Sequence, residues 1–174
     1  MRILVIIVVC LGLLLSLKLA GVFDTSVVEK PVIGAAAPNF NLDCADGSTV
    51  RLSSLRSGKV IICFWHDHES DGGCPPNKQV LLVLQQVHEK NPGLPILAIR
   101  SDYTLFKPIN MRTYLSDNKF TFTVPLDTSD AASKLYNISA YPVTFFLDPG
   151  GIIREIRIGQ FTGADEIDHI LSSY

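Results

Sequence analysis

The sequence has no run of Lys or Arg. Its 15 basic residues are scattered along 174 positions against 17 acidic ones, for a net charge of -2. Such a chain has no basic field with which to gather nucleic acid, and nucleic acid is excluded as an expected partner. Cysteine is scarce as well. The four present are Cys10, Cys44, Cys63 and Cys74, and no pair among them has zinc-finger spacing. Neither a disulfide framework nor a structural zinc site follows. Repeats and low-complexity segments are absent, which leaves a single domain large enough for a proper core.

What the sequence does have, first, is one long apolar segment. Ile3 to Phe23 makes 21 residues with Lys18 as the only charge. At about 1.5 Å per residue a helix of this length spans the hydrocarbon core, with Lys18 able to snorkel to the interface. A cleaved signal peptide is the alternative, since Arg2 supplies a positive start and Ala20 could precede a cut. Lys18 would then stand where a small residue is preferred. The chain therefore reads as an anchor or signal peptide at 1–23, a polar tether at 24–33, and one domain at 34–174. That domain is expected on the periplasmic or extracytoplasmic side, held to the membrane by the N-terminal helix.

Beyond the tether, Phe40, Leu42, Val50 and Leu52 alternate around Asp46-Gly47, a hairpin signal. "KVIICFW" (59–65) is a continuous apolar run, the pattern of a strand covered on both faces. From Pro75 the apolar residues Val80, Val83, Leu84 and Val87 fall on one helical face, and Asn91-Pro92-Gly93 ends it. "LPILAIRS" is a second buried strand, completing a βαβ unit whose crossover should be right-handed. Shorter helices are predicted near 108–117 and 129–136, with "FTFTVPLD" between them. Two strands then surround Pro149-Gly150-Gly151, and Thr162 with Asp165 reads as the capping box of a last helix.

This order, βαβ, helical crossover, then ββα after a hairpin, resembles the thioredoxin fold: an α/β protein with a central mixed sheet flanked by helices. The resemblance is sharpest to membrane-tethered proteins of the TlpA and ResA type, within the redoxin group that also contains the peroxiredoxins. The residues that carry it are "GAAAPNFNL", "DGSTVRLSSLRSGKV", "FW", "CPP" and "YPVTFFLDPGGII", in that order over roughly Gly34 to Leu171. It implies Cys74 as the attacking thiol and Pro142 as a cis-proline bordering it. Trp65, Pro75 and Tyr141 would then shape a substrate groove. Two departures stand out. Eight residues, His66 to Gly73, separate Trp65 from Cys74 where the family has three, and Asn77 occupies the position of the family's second cysteine.

Only a thiolate attacks a disulfide, and a thiol at a helix N-terminus is acidified by unpaired backbone N–H groups. Cys74 immediately precedes Pro75 and Pro76, residues suited to a first helical turn. With Asn77 in place of a resolving cysteine, a mixed disulfide would wait for an external reductant or another cysteine of the chain. The Asn77 amide could instead donate to the thiolate. The expected function is thus extracytoplasmic thiol–disulfide exchange with protein thiols or disulfides, through one nucleophilic cysteine and no cofactor. Three alternatives stay open. His66, His68 and Cys74 could hold a zinc or copper ion in a metal-delivery module. A lone thiolate could reduce peroxide, although the threonine and proline that usually precede a peroxidatic cysteine are missing from "HDHESDGGC". The fold could also serve as a scaffold without turnover.

Overall fold

The computed structural model describes residues 30–66, 75–101 and 110–174. The expected anchor, most of the tether, and Asp67 to Cys74 lie outside the described residues. Within them, no helix is long and apolar enough to cross a membrane.

The hairpin forms as read: β1 (Asn41–Asp43) pairs antiparallel with β2 (Thr49–Arg51), Leu42 opposite Val50. Asp46 closes its turn by accepting hydrogen bonds from the Ser48 N–H and hydroxyl. After a 3-10 turn at Leu52–Leu55 comes β3 (Val60–Trp65), then α1 (Pro75–Lys90) and β4 (Ile96–Ser101). α2 (Met111–Asn118), β5 (Leu126–Asp127) and α3 (Ala131–Leu135) follow. β6 (Val143–Leu147), β7 (Ile153–Ile158) and α4 (Ala164–Ser172) complete the chain. The main sheet has the order β5-β4-β3-β6-β7, parallel at β5-β4-β3 and antiparallel at β3-β6-β7.

β3 lies at the centre because both of its faces are apolar. Ile61, Cys63 and Trp65 point into a core shared with Val80, Leu84 and Ile167 of α1 and α4. Val60, Ile62 and Phe64 point into the opposite core, with Phe40, Leu52 and Tyr136. The period of two therefore puts an apolar side chain on each face at every step. The second core is aromatic, Tyr136 meeting Phe64 and Phe145 with centroids 5.0 Å from each. The Tyr136 hydroxyl donates to the Pro38 carbonyl at 2.8 Å.

The N-terminal segment closes one edge of the sheet. Gly34 N–H donates to the Ile153 carbonyl and Ile153 N–H to the Ala35 carbonyl, with Ala36 bridged to Ile152. The β6–β7 turn is held by Asp148, which accepts from Ile152 N–H at 2.9 Å and from Arg154 Nε at 2.8 Å. At the last helix the expected Thr162–Asp165 box is corrected. Glu166 accepts from both the N–H and the hydroxyl of Thr162. Gly163 is the N-cap, so the acid in the third helical position is Glu166 and not Asp165.

Candidate functional site

In the parallel half of the sheet, β3, β4 and β5 all end at the same side, at Trp65, Ser101 and Asp127. β6 starts there, because Val143 pairs with Phe64. The peptide bond entering β6, Tyr141–Pro142, is cis. The Pro142 carbonyl accepts from Gly159 N–H at 2.8 Å, which fixes the bend against the end of β7. The bend carried over by resemblance thus stands beside the C-terminus of β3, and the next described element, α1, opens at Pro75.

Trp65 does not line a groove. It is 1% exposed, donates its indole N–H to the Ala98 carbonyl at 3.1 Å, and stacks on Tyr114 with centroids 5.7 Å apart. The period of two aims it into the α1 side of the core, where it braces α2. His66, one residue on, is half-buried and meets the Tyr141 ring edge-on at 4.6 Å. His66, Tyr141 and the cis bond therefore adjoin one another, a contact that the sequence gives no sign of. Asn77, in the first turn of α1, is 2% exposed, and neither its Oδ1 nor its Nδ2 has a hydrogen-bond partner among the described residues.

The two described cysteines are free thiols and both are buried. Burial pushes the Cys63 thiol up to about 12, and the neighbouring Thr144 hydroxyl offsets this only in part. That hydroxyl makes no hydrogen bond of ordinary geometry. Cys44 is also raised, chiefly by burial, with the Ser48 hydroxyl opposing. Cys44 bridges Pro125 on the outer side of β5, and β4 lies between β5 and β3. Three strand spacings, about 14 Å, then separate it from Cys63, against a Cα separation of about 5.5 Å in a disulfide. The two cannot pair in this fold.

His68 and Cys74 lie outside the described residues, so the expected His66, His68 and Cys74 ion site is placed only at His66. Among the described residues no three His, Cys, Asp or Glu side chains cluster. One buried polar group near the strand ends escaped the sequence reading. Asp127, wholly buried, accepts from the N–H groups of Ala132 and Ser133 at 3.1 and 2.7 Å. The Ser133 hydroxyl in turn lies 2.7 Å from that of Ser101. Asp127 thereby caps α3, and its one sequence signal is an acid placed just before a short helix.

The model of the AhpC/TSA family matches residues 33–156. The thiol-disulfide oxidoreductase ResA of Oceanobacillus iheyensis is 32% identical over 136 residues, 75% of this chain and 67% of that one. ResA of Bacillus subtilis is 28% identical over 131 residues, 74% of this chain and 69% of the relative. Among solved structures, StoA of Bacillus subtilis superposes with a TM-score of 0.64 at 23% identity, covering 78% of this chain and 98% of its own. A thioredoxin family thiol:disulfide interchange protein of Chlorobium tepidum gives 0.66 at 20% identity, covering 81% and 96%.

Proposed function

Because this chain belongs to the AhpC/TSA family, as a ResA-like redoxin, we propose that it carries out thiol–disulfide exchange outside the cytoplasm through a single nucleophile, Cys74. The observation that carries the reading is the opening of α1 at Pro75, directly after Cys74 in the chain, within a domain that the AhpC/TSA family model matches over residues 33–156. Cys74 immediately precedes Pro75, the first residue of a 16-residue helix, and a thiol at a helix N-terminus is favoured as the thiolate.

In the first step the Cys74 thiolate attacks one sulfur of a partner disulfide. The partner's S–S bond breaks, a mixed disulfide with Cys74 forms, and the other partner sulfur leaves as a thiolate. In a dithiol enzyme a second cysteine one turn along would then attack Cys74 at high effective concentration. Asn77 has no nucleophile to offer. Cys63 supports the same conclusion, since a thiol with a pKa of about 12 is almost wholly protonated at neutral pH. An external thiol therefore attacks the mixed disulfide, regenerating Cys74 and leaving the partner in a disulfide with the reductant or, after a second exchange, reduced.

The test is alkylation of the full chain in detergent, followed by mass spectrometry. Cys74 should react first at neutral pH, with Cys63 and Cys44 lagging by more than about tenfold. A model disulfide should leave a persistent adduct on Cys74, and Asn77→Cys should convert that adduct into an internal 74–77 disulfide with release of the small thiol. If the parent chain instead forms a disulfide from Cys74 to Cys63 or Cys44 and turns over rapidly, the single-thiol mechanism is wrong.

A further inference from the structure

β7 is the last strand of the main sheet, and its outer edge is covered only in part. Gly34 and Ala35 take up the C=O and N–H of Ile153, and Ala37 N–H donates to the Gly151 carbonyl, so the N-terminal segment pairs with that end alone. At the other end the strand stops at Gly159, whose φ of +92 turns the chain away. Gly159 N–H donates inward to the Pro142 carbonyl, and by the period of two Arg157 and Glu155 also aim their backbone groups at β6. Ile156 and Ile158 therefore aim theirs outward, and no described residue bonds to them there. Lys30 and Pro31 share a cleft with Tyr136, Phe145, Ile156 and Ile158, which places them over the face of the sheet and not along its edge. An open strand edge is a template for another strand.

Charged side chains on an edge usually deter pairing. Here the order Arg154-Glu155-Ile156-Arg157-Ile158 selects a partner instead. Laid antiparallel on a second copy of itself about Ile156, the stretch sets each Glu155 opposite the Arg157 of the other copy. Ile156 then faces Ile156, and their outward groups exchange both hydrogen bonds. Shifted by two residues in either direction, the ladder would oppose Arg157 to Arg157 or Glu155 to Glu155, and like charges directly opposite are destabilising. A shift of one sets outward groups against inward ones and loses the ladder. Glu155 and Arg157 stand on the α4 side of the sheet, where Glu166 holds Arg157. Among the described residues Glu155 makes only a long contact, 4.0 Å, to Arg157 of its own strand, so its carboxylate has room for a second cation.

The apolar surface falls into the same register. Ile158 is 74% exposed, and Val32 and Ile33, next to Gly34, are 53% and 59% exposed. Ile158 would lie opposite Arg154 of the second copy, one residue from the Ile153 to which Gly34 is bonded. Each Ile158 is thus brought to the end of β7 at which the other copy carries Val32 and Ile33.

We propose that β7 is a self-recognition edge, through which two copies of this chain join antiparallel over Arg154–Ile158 and continue one five-stranded sheet into the next. The partner is a second copy because the charge order matches itself in a single register. The two β7 strands run in opposite directions, so the cis-proline bends come to lie at opposite ends of the joined sheet. The inference does not depend on the thiol chemistry proposed above. The interface is small, so the association is expected to be transient and is tested by trapping it.

The test uses the full chain in detergent with Cys10→Ser and Cys74→Ser, which leaves the buried Cys44 and Cys63. On mild oxidation Ile156→Cys should give a disulfide-linked dimer, since residues paired across the axis stand about 5.5 Å apart. Glu155→Cys or Arg157→Cys alone, each displaced from its own counterpart, should be trapped at least about tenfold more slowly. Equal or faster trapping at 155 or 157, or none at 156, overturns the proposal. Glu155→Arg and Arg157→Glu should each weaken the association seen by sedimentation equilibrium at least about tenfold. Mixed in equal amounts they should form a heterodimer, because one copy then offers two arginines where the other offers two glutamates. A mixture as monomeric as its parts, or dimers indifferent to both variants, overturns the proposal. Should Arg157→Glu, which loses its bond to Glu166, fail to fold, trapping at position 156 decides alone.

Discussion

Asn77 concentrates the chemical question in one side chain. A buried amide whose donor and acceptor both lack partners among the described residues costs on the order of 1–3 kcal/mol of stability relative to a satisfied one. Stability alone would favour an apolar residue of similar volume at that position. Asn77→Leu is therefore expected to raise the midpoint of thermal unfolding by about 2–6 °C. On the proposal that Asn77 donates to the Cys74 thiolate, the same variant should raise the pKa of the Cys74 thiol, measured by the pH dependence of its alkylation. A side chain with a purely structural role would move the first quantity and leave the second alone. Asn77 was legible as a missing cysteine. Its burial was not, because a substitution says nothing about which way a first-turn residue points. The same holds for Trp65, where a motif residue carried over as groove lining is turned by the strand's period of two into the core.

At the scale of elements, the β6–β7 turn depends on one glycine. Gly151 has φ +76, and a Cβ built on it would come within 2.7 Å of Arg56 Nε. Arg56 is itself held in place, donating from Nη2 to the Ala37 carbonyl at 2.9 Å. Gly151→Ala combines backbone strain with a clash, and a loss of about 1–2 kcal/mol in urea unfolding is expected. The equivalent change at Gly58, where a Cβ would meet nothing and φ is not positive, should be close to neutral. The strands were readable where the chain was apolar on both faces, as in β3 and β4, or alternated about a turn, as in the hairpin. β5 was less so: of the run 120–127 only Leu126–Asp127 makes a strand, with Leu97–Thr123 as an isolated bridge. Phe120 and Phe122 leave the ladder to pack beneath α2. The capping of α4 was misplaced by one residue because cap identity turns on backbone angles at Thr162 and Gly163 that local sequence does not dictate.

For the whole molecule, three carboxylates tie stability to acidity: Asp46, lowered by the Ser48 hydroxyl and N–H in the hairpin turn, Asp148 and Glu166. Asp148 is held below the usual carboxylate range, first by the Ile152 N–H, with the Arg154 guanidinium adding to it. Glu166 is lowered first by the Thr162 N–H, then by the Thr162 hydroxyl and Arg157. Groups whose folded-state pKa lies below the unfolded value stabilise the fold fully above the unfolded value, about 4, and lose that contribution as pH falls through the folded one. Urea midpoints followed by circular dichroism should hold between about pH 5 and pH 7 and decline below about pH 4. The pair Asp148→Asn with Glu166→Gln should start lower and fall less steeply. An unchanged slope in the double variant would remove these two groups from the acid limb.

The seam between Gly34–Ala36 and Ile152–Ile153 joins residues that lie about as far apart along the domain as its length permits. Tyr136 to Pro38 and Lys59 to Leu171 span similar gaps, 98 and 112 residues. Contacts between such distant residues carry the full entropy of closing the long loop before they return anything, so they slow folding. During synthesis the β3-α1-β4 unit can assemble from neighbouring residues. The first residues of the domain have no edge to join until β7 has left the ribosome. Until then the apolar outer side of β6 is uncovered, and the nascent chain passes through a stage in which its aggregation risk is set by the last strand to be made.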